Sequence, residues 1–431
     1  MIQITKSADW KTGASKSADA AARAVLAKIG SRKLRIIRLL EALLRPIVSL
    51  SNRSQATGSA LNDEDVKGIL VLEYWHLGDI VMQLPFLQNL RLHYPNAHIV
   101  LLASPKGAAL ITDRSIVDEI IVTRVPWAEH YSRWKKYNPF SKLWIDLHRT
   151  LRTLRARGFD LAFASRADLR DNFMLWFLNI RRRVGYSYGG GGLFLTDRVS
   201  PDLQNPHQSN RSLQLLRHLG KPVLEQQPHL HLSPEERREA KRLMENLGVA
   251  PGDFLVAVHP GARSPIRQWG QEHFAAVARS LRDNFQVKIV WFEDPQESQN
   301  IKDSQFLRLS LPLRKFMAVL SHCNLLICND SGPMHIATAL DVPVVAVFGP
   351  GEPAWFGPLG SKNQIVIRSG FWCRPCLDYC RFDEPYCIRT VQVEDVYAAS
   401  EKAVRALLVE LRDLSNSRPE EFVGVLKART H

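Results

Sequence analysis

The sequence predicts an α/β protein built from two parallel-sheet domains. Short apolar runs alternate with amphipathic stretches of helical length, and this alternation begins near Val66. It restarts near Asp253, after a Pro-rich passage between Pro222 and Pro234. Strands that alternate with helices of this length form βαβ units, in which the strands are parallel. A length of 431 residues fits two domains with appendages.

The first series contains four strand-like runs and two helical stretches. It begins with the strand GILVLEYW, the turn HLGD and the helix IVMQLPFLQNLRLHYP. It continues with the strands AHIVLLAS and VDEIIVTRVP, the helix KLWIDLHRTLRTLRARG and the strand FDLAFAS. The stretch VGYSYGGGGLFL then interrupts the alternation, and we interpret it as a flexible glycine run.

The second series repeats the same rhythm. Its strands are DFLVAVHPGA, QVKIVWFED, NLLICND and VPVVAVFGP. Its helices are PEERREAKRLMENLG, QEHFAAVARSLRDNF, LRKFMAVLSHC, GPMHIATALD and the long VEDVYAASEKAVRALLVELRDL. The two series predict domains at residues 63–232 and 233–412, a basic extension at 1–62 and a tail at 413–431. Ligands of such sheets bind at the carboxyl ends of the strands, and a cleft between two domains is a favoured pocket.

The charge balance narrows the classes of partner. The chain has 57 Lys and Arg against 43 Asp and Glu, a net charge of +14. This excess fits a basic proteome, or an anionic partner such as a membrane surface or a phosphorylated substrate. We expect no nucleic-acid partner, because the chain has no RNA-recognition signature and no zinc-finger spacing.

The sequence also bears on where the protein acts. No apolar run reaches the roughly 20 residues that span a bilayer. The first residues lack the charged, apolar and small-residue order of a signal peptide. We therefore expect a cytoplasmic protein, whose six cysteines are thiols rather than disulfides.

The first 62 residues contain a basic amphipathic stretch, SRKLRIIRLLEALLRPIVSL. Its apolar residues recur at helical spacing, and most of its arginines fall on another face. Such a helix packs on the main body, belongs to a disordered start, or lies on anionic lipid as an interfacial helix. The sequence leaves these alternatives open.

The stretch NDSGPMHIATAL predicts a helix start that can hold an anion. Asp330 ends a strand, and Gly332 and Pro333 open a helix whose first N–H groups and dipole attract negative charge. Ser331 adds a hydroxyl donor, and His335 lies close enough to reach the same anion. The alternative is an ordinary helix start, with Asp330 or Ser331 as a plain N-cap and His335 as a packed surface residue.

Other stretches at predicted strand ends carry charged side chains. Asp79, between a strand and a helix, caps that helix or serves as a general base. Arg263 and Arg267 follow the first strand of the second half, where they bind phosphate or are solvated loop residues. Glu297 follows another strand, where a carboxylate accepts hydrogen bonds from ribose hydroxyls.

Four cysteines are clustered near the end of the second half. Cys373, Cys376, Cys380 and Cys387 have the spacing C-x2-C-x3-C-x6-C. Four clustered thiols suggest a structural zinc site, but the spacing is not that of a standard zinc finger. Free thiols in a packed loop and disulfides remain as alternatives.

Together these stretches resemble the bacterial lipopolysaccharide heptosyltransferases of glycosyltransferase family 9. The similar segments are GDIVMQLPFLQNLRLHYPNAHIVLL, HPGARSPIRQW, NDSGPMHIATALDVPVVAVFGP and the cysteine-rich loop before VQVEDV. The resemblance implies a GT-B fold, in which two Rossmann-like domains flank a central cleft. The N-terminal domain would bind the acceptor, and the C-terminal domain the nucleotide-sugar. The reaction would invert the anomeric carbon and need no metal.

The resemblance also implies roles for individual residues. Asp79 would be the general base that takes the proton of the acceptor hydroxyl. The diphosphate would be held by Ser331, Gly332 and His335, and Arg267 would offset the charge of the leaving group. Arg263 joins this donor site on the residue pattern alone, as a guanidinium that matches phosphate oxygens. Asp330 would position the donor sugar, and Glu297 would hold the ribose.

The sequence therefore favours a transferase that moves heptose, or a similar sugar, from ADP-heptose to lipopolysaccharide core or a related glycan. We expect no cofactor beyond the nucleotide-sugar. Two alternatives are a nucleotide-sugar epimerase or dehydrogenase and a non-catalytic module at a membrane surface. The first would require a G-x-G-x-x-G turn after the first strand, which YWHLGD does not supply. The second does not explain Asp79 together with the helix-start motif.

Overall fold

The computed structural model describes residues 31–55, 62–113, 115–128, 133–293, 301 and 303–417. The chain forms two compact units, and the division in the sequence lies between Gln226 and Gln227. Each unit contains one six-stranded sheet, in which neighbouring strands are parallel. This architecture confirms the predicted α/β class with two parallel sheets.

The first unit contains the following elements. Its strands are β1 Gly68–Glu73, β2 His98–Ala103, β3 Glu119–Val122, β4 Leu161–Ala164, β5 Arg182–Tyr186 and β6 Asp197–Val199. Its helices are α1 Ser31–Gln55, α2 Leu77–His93, α3 Pro105–Ala108, α4 Arg133–Tyr137, α5 Lys142–Arg157, α6 Leu169–Phe177 and α7 Gln208–His218.

The second unit repeats the pattern. Its strands are β7 Leu255–His259, β8 Lys288–Phe292, β9 Leu307–Leu309, β10 Leu325–Asn329, β11 Val344–Phe348 and β12 Gln364–Ile367. Its helices are α8 Pro234–Asn246, α9 Gln271–Phe285, α10 Leu313–Leu320, α11 Gly332–Ala339, α12 Pro353–Phe356, α13 Tyr386–Arg389 and α14 Val393–Ser417.

Both sheets have the strand order of a doubly wound Rossmann-type fold. The first is ordered β3-β2-β1-β4-β5-β6, and the second β12-β11-β10-β7-β8-β9. In each sheet the order reverses between the first and the fourth strand in sequence, so β1 lies beside β4 and β7 beside β10. Open parallel sheets bind ligands off the carboxyl ends of the strands at this reversal. The two reversals are therefore where a site is expected.

The strands are buried because their side chains are apolar. All five residues of β10 are buried, and so are the last five of the six residues in β1. Parallel strands with covered faces are read in sequence as continuous apolar runs rather than as alternating ones. In the second unit, α14 packs against the apolar core through Val396, Ala399 and Val404. Leu407, Leu408 and Leu411 are partly buried against the same core, so the packing continues along the helix.

The start of α8 shows how local sequence fixes an element. The N–H of Glu236 donates to Oγ of Ser233 at 3.2 Å, and the N–H of Ser233 donates to Oε2 of Glu236 at 2.8 Å. This reciprocal pair is a capping box, and Pro234 occupies the first helical position, where its missing N–H costs nothing. The same carboxylate forms an ion pair with Arg314 of α10 at 2.6 Å. The cap therefore also ties α8 to α10.

The glycine-rich stretch after β5 is a close-packed turn, so its interpretation as a flexible run was wrong. A Cβ on Gly189 would lie 1.7 Å from the carbonyl oxygen of Ala167. Gly190 and Gly191 have φ values of +98° and +78°, which favour glycine. The side-chain amide of Asn172 in α6 donates to the carbonyl of Gly190 at 3.0 Å. The glycines are thus required by a close approach to the start of α6.

The predicted basic amphipathic helix is present as α1. It contacts the short 3-10 helix Gly192–Phe194 of the first unit, and Val48 is buried. Residues 1–30 of the predicted extension lie outside the described residues. Within the part of the chain that the structure describes, no helix is both long and apolar enough to span a bilayer.

Candidate functional site

Asp79 lies in the first turn of α2, just beyond the carboxyl end of β1. Its Oδ2 accepts the N–H of His76 at 3.1 Å, and only 10% of its side chain is exposed. The carboxylate therefore caps α2, as one interpretation of the sequence predicts. The cap uses only Oδ2 of the Asp79 carboxylate. The other oxygen, Oδ1, makes a second, charged contact.

That second contact is an ion pair with Arg166, a residue that the sequence pattern does not single out. Arg166 follows β4, and its guanidinium pairs with Oδ1 of Asp79. The guanidinium carbon lies 4.5 Å from the centroid of the Trp75 ring, which is cation–π geometry. Because β1 and β4 are neighbours in the sheet, residues that are far apart in sequence meet at one strand end. Asp79 is consequently held in a fixed position by groups from two strand ends.

A second carboxyl group, that of Glu73, lies buried at the end of β1. Its Oε2 accepts the hydroxyl of Ser165 at 3.2 Å, and within the described residues its buried Oε1 has no hydrogen-bond partner. Burial raises the pKa of Glu73 to about 8, with Arg166 opposing the rise and Asp79 adding to it. Glu73 is therefore mostly protonated at neutral pH. The cluster then contains one anion, Asp79, and one cation, Arg166.

A third carboxyl group extends this cluster towards α6. The Tyr74 hydroxyl donates to Asp171, and Nε1 of Trp127 lies 3.3 Å from the Tyr74 oxygen. Burial raises the pKa of Asp171 to about 7, and Asp168 adds to the rise. Perturbed carboxyl groups at a strand reversal are typical of functional sites, although structural networks also produce them.

The second cluster surrounds the start of α11, in the other unit. As the sequence predicts, Asp330 directly follows β10 and Gly332 is the first residue of the helix. Ser331 is the N-cap residue, but its side chain makes no capping hydrogen bond. Its Oγ is buried, and among the described residues it has no hydrogen-bond partner. A buried hydroxyl at a helix start, beside free N–H groups, suits an anionic ligand.

Arg263 and Arg267 are brought together at this helix start by two carboxylates. Nη1 of Arg267 lies 3.0 Å from Oδ2 of Asp330, and its Nη2 lies 3.2 Å from Oδ1 of Asp378. Arg263 contacts the other oxygen of Asp378 at 2.8 Å. Burial raises the pKa of Asp330 above its ordinary value, with Arg267 opposing the rise and Asp378 adding to it. The two arginines thus stand at the reversal of the second sheet, as expected for a phosphate site.

Asp378 belongs to the cysteine-rich loop, and the sequence pattern does not identify it. The loop is held at the end of β11, because the N–H groups of Cys376 and Leu377 both donate to the carbonyl of Pro350, at 3.2 and 3.1 Å. Arg374 donates to the carbonyl of Gly351 at 3.2 Å. The loop therefore carries Asp378 to the arginines through backbone contacts that no local motif indicates.

The remaining predicted site residues have different outcomes. His335 lies one turn into α11 and is buried, and its contact with a donor remains a prediction. Glu297 lies outside the described residues. The described carboxylate that directly follows β8 is Glu293, which forms an ion pair with Arg308.

The four cysteines that suggested a zinc site are free thiols in the structure: Cys373, Cys376, Cys380 and Cys387. Burial raises the pKa of the Cys387 thiol to about 11 and also raises that of Cys376. Among the described residues, no three His, Cys, Asp or Glu side chains are placed to hold a metal ion. The zinc hypothesis therefore gains no support from the geometry.

Known proteins are similar to this chain in sequence and in fold. Residues 147–386 match the family model of glycosyltransferase family 9 (heptosyltransferase). Lipooligosaccharide heptosyltransferase 2 of Campylobacter jejuni is 22% identical over 344 residues, which cover 77% of this chain and 97% of the relative. These matches span both units.

Solved structures agree with this assignment. The glycosyltransferase family 9 structure from Veillonella parvula is 24% identical, covers 79% of this chain and 97% of its own, and superposes with a TM-score of 0.62. The ADP-heptose LPS heptosyltransferase II of Escherichia coli is 20% identical, covers 80% and 99%, and has a TM-score of 0.59. At these identities the structures show a shared fold. The family model covers more than half of the chain, and the protein therefore belongs to glycosyltransferase family 9.

Proposed function

We propose that this glycosyltransferase moves heptose from ADP-heptose to lipopolysaccharide core or a related glycan. The names of its relatives support this substrate pair, because the C. jejuni relative is a lipooligosaccharide heptosyltransferase and the E. coli structure is an ADP-heptose enzyme. The observation that carries the donor site is the start of α11, where the buried Ser331 hydroxyl adjoins the pair of Arg267 and Asp330.

The predicted domain at residues 233–412, which lies in the second unit, would bind the nucleotide-sugar. The diphosphate would accept hydrogen bonds from the helix start at Ser331 and Gly332 and from His335. Arg263 and Arg267 would exchange their carboxylate partners for phosphate oxygens, which guanidinium groups bind well. Asp330 would then be free to position the sugar, and Glu297 would contact the ribose.

The predicted domain at residues 63–232, most of which lies in the first unit, would bind the acceptor and supply the base. In an inverting displacement, the acceptor oxygen attacks the anomeric carbon while the bond from that carbon to the ADP oxygen breaks. The proton of the acceptor hydroxyl passes to Asp79, and the electron pair of the broken bond leaves with ADP. General-base catalysis of this type contributes about 10²–10⁴-fold to a rate.

The charge that develops on ADP would be stabilised by the dipole of α11 and by the two arginines. Preorganised donors of this type are the largest single contribution in many enzymes. We therefore propose that transfer is metal-independent. The prediction is that turnover persists when the purified enzyme is treated with EDTA, and loss of turnover that Mg²⁺ or Zn²⁺ restores would contradict it.

We further propose that the enzyme works at the cytoplasmic face of the inner membrane as a peripheral protein. A lipid-linked acceptor would be presented there, and a chain of net charge +14 suits a surface of anionic lipids.

The function is tested with the full chain, ADP-heptose and a heptose-deficient lipopolysaccharide acceptor, by measuring ADP release and product mass. We expect one added heptose, and an Asp79→Asn variant should lose transfer while ADP still raises its melting temperature. Turnover of ADP-heptose without an acceptor product would favour a nucleotide-sugar-modifying enzyme. Stabilisation by none of ADP, UDP and GDP would favour a non-catalytic module.

A further inference from the structure

Helix α1 exposes a continuous stripe of large apolar side chains. The stripe consists of Leu39, Leu43, Ile47 and Leu50, which are spaced by four, four and three residues and therefore share one face. Their exposed fractions are 67%, 74%, 63% and 72%. Soluble proteins rarely expose a contiguous apolar surface without an interaction to cover it. The stripe therefore needs a partner.

The opposite side of α1 is attached to the first unit. Val48 is only 3% exposed, and the carboxylate of Glu41 accepts the N–H of Gly191. Ile37 lies close against Gly190, because a Cβ added to Gly190 would be 2.8 Å from Cγ2 of Ile37. The helix is thus seated on the glycine-rich turn by one face. The apolar stripe points elsewhere and takes no part in this packing.

The charge of α1 indicates which partner fits the stripe. Residues 31–55 contain six Lys and Arg and one acid, Glu41. Glu41 is used in the attachment to Gly191, and Arg45 is exposed. An apolar face combined with an excess of cations is the composition of helices that lie in the interface of anionic membranes. Headgroups would neutralise the cations while the stripe enters the acyl region.

A second copy of the chain is a poorer partner. A twofold contact would place the same patch against itself. Two helices that each carry six cations and one acid would then repel each other. A lipid surface has the opposite charge and imposes no such penalty. With six cations among its 25 residues, α1 is also too charged to cross the bilayer.

We propose that α1 lies in the plane of an anionic phospholipid bilayer and inserts Leu39, Leu43, Ile47 and Leu50. The proposal deepens the proposed function by naming the surface and the lipid chemistry that hold the enzyme at its acceptor. It does not depend on which sugar is transferred, because lipid binding and transfer are measured separately.

The test is co-sedimentation of the full chain with vesicles of phosphatidylcholine alone or mixed with phosphatidylglycerol. The wild-type protein should bind the mixed vesicles, and added salt should weaken binding. The double variant Leu43→Glu/Ile47→Glu should bind at least roughly tenfold more weakly, since it replaces two buried apolar contacts with the acyl region by charges. The matched control is Leu224→Glu, which changes a leucine of the same unit that is 61% exposed, and its binding should equal that of wild type.

Other outcomes would overturn the proposal. Unchanged vesicle binding by the folded double variant, verified by its melting temperature, would exclude the stripe as the membrane contact. A dimer in light scattering that the double variant loses would assign the stripe to a second copy. Transfer to a detergent-dispersed acceptor should be unchanged in the double variant. Absent transfer with normal vesicle binding would reject the proposed function and leave the docking surface intact.

Discussion

The guanidinium of Arg166 forms an ion pair with Oδ1 of Asp79, and the backbone N–H of His76 occupies Oδ2. Both oxygens of the proposed base are therefore held before any acceptor arrives. The cation favours the charged form of the carboxylate, as a base requires. Glu73, whose pKa Arg166 also affects, is buried and mostly neutral at pH 7, so it does not compete strongly for the guanidinium.

Replacement of Arg166 should impair turnover without affecting ADP binding. Arg166→Gln removes the cation, so Asp79 is protonated more readily and the acidic limb of the pH–rate profile should move to higher pH. Loss of the fixed geometry should lower kcat roughly 100-fold. Arg166→Lys keeps the charge but loses the planar stack on Trp75. The acidic limb of its pH–rate profile should therefore stay near that of wild type. A Gln variant with a wild-type profile would show that Arg166 does not act on the base.

Glu73 should make the protein less stable as the pH rises. Its folded pKa of about 8 exceeds the ordinary value of 4.5, so between these values the folded state holds a proton that the unfolded state has released. Stability is then lost as the pH rises through this window, by at most about 1.4 kcal/mol per pH unit. Glu73→Gln should make the decline shallower in chemical denaturation at pH values across the window.

The control for this measurement is Glu64→Gln, which changes an exposed glutamate of the same unit. It should leave the decline unchanged. Asp171, whose pKa is raised to about 7, should keep part of the slope in the Glu73 variant. An equal slope in wild type and Glu73→Gln would show that Glu73 is ionised in the folded protein.

The sequence was sufficient for the features that depend on neighbouring residues. The apolar strands β1 and β10 are recognisable because parallel strands are buried on both faces. The starts of α2 and α11 are recognisable because an acid, a serine and a proline have fixed roles there. By contrast, β6 and β9 have only three residues each, too few to stand out from loops.

The features that the sequence does not reveal arise from contacts between distant segments. Arg166 meets Asp79 only because β4 lies beside β1 in the sheet. Asp378 reaches Arg267 only because its loop is anchored on Pro350. The glycine-rich turn was misinterpreted for the same reason, because the residue that it approaches, Ala167, belongs to another loop. Pairing order and loop anchoring are properties of the tertiary structure, which local patterns do not encode.

Asp378 should compete with the donor for Arg263 and Arg267. Asp378→Asn removes the carboxylate that contacts both arginines and should tighten ADP binding about two- to fivefold, because such partly exposed pairs contribute roughly 0.2–1 kcal/mol. Titration calorimetry with ADP measures this effect. Asp383→Asn, an exposed position of the same loop, is the matched control and should bind as wild type does. Equal ADP affinity of wild type, Asp378→Asn and Asp383→Asn would contradict the placement of the two arginines in the donor site.

Gly351 should be essential for the position of Asp330. A Cβ on Gly351 would lie 2.1 Å from Oδ2 of Asp330, the oxygen that pairs with Arg267. Gly351→Ala must therefore displace this carboxylate and its partner, which should cost about 1–3 kcal/mol of stability, measured by chemical denaturation. Gly68→Ala is the control, because there the nearest atom is 3.4 Å from the new Cβ.

The double variant Gly351→Ala/Asp330→Ala separates the steric clash from other effects of the new methyl group. If the clash is the cause, removal of the Asp330 carboxylate should restore part of the stability that Gly351→Ala loses, since contacting residues are not additive in double-mutant cycles. Additive losses in the cycle would place the strain elsewhere.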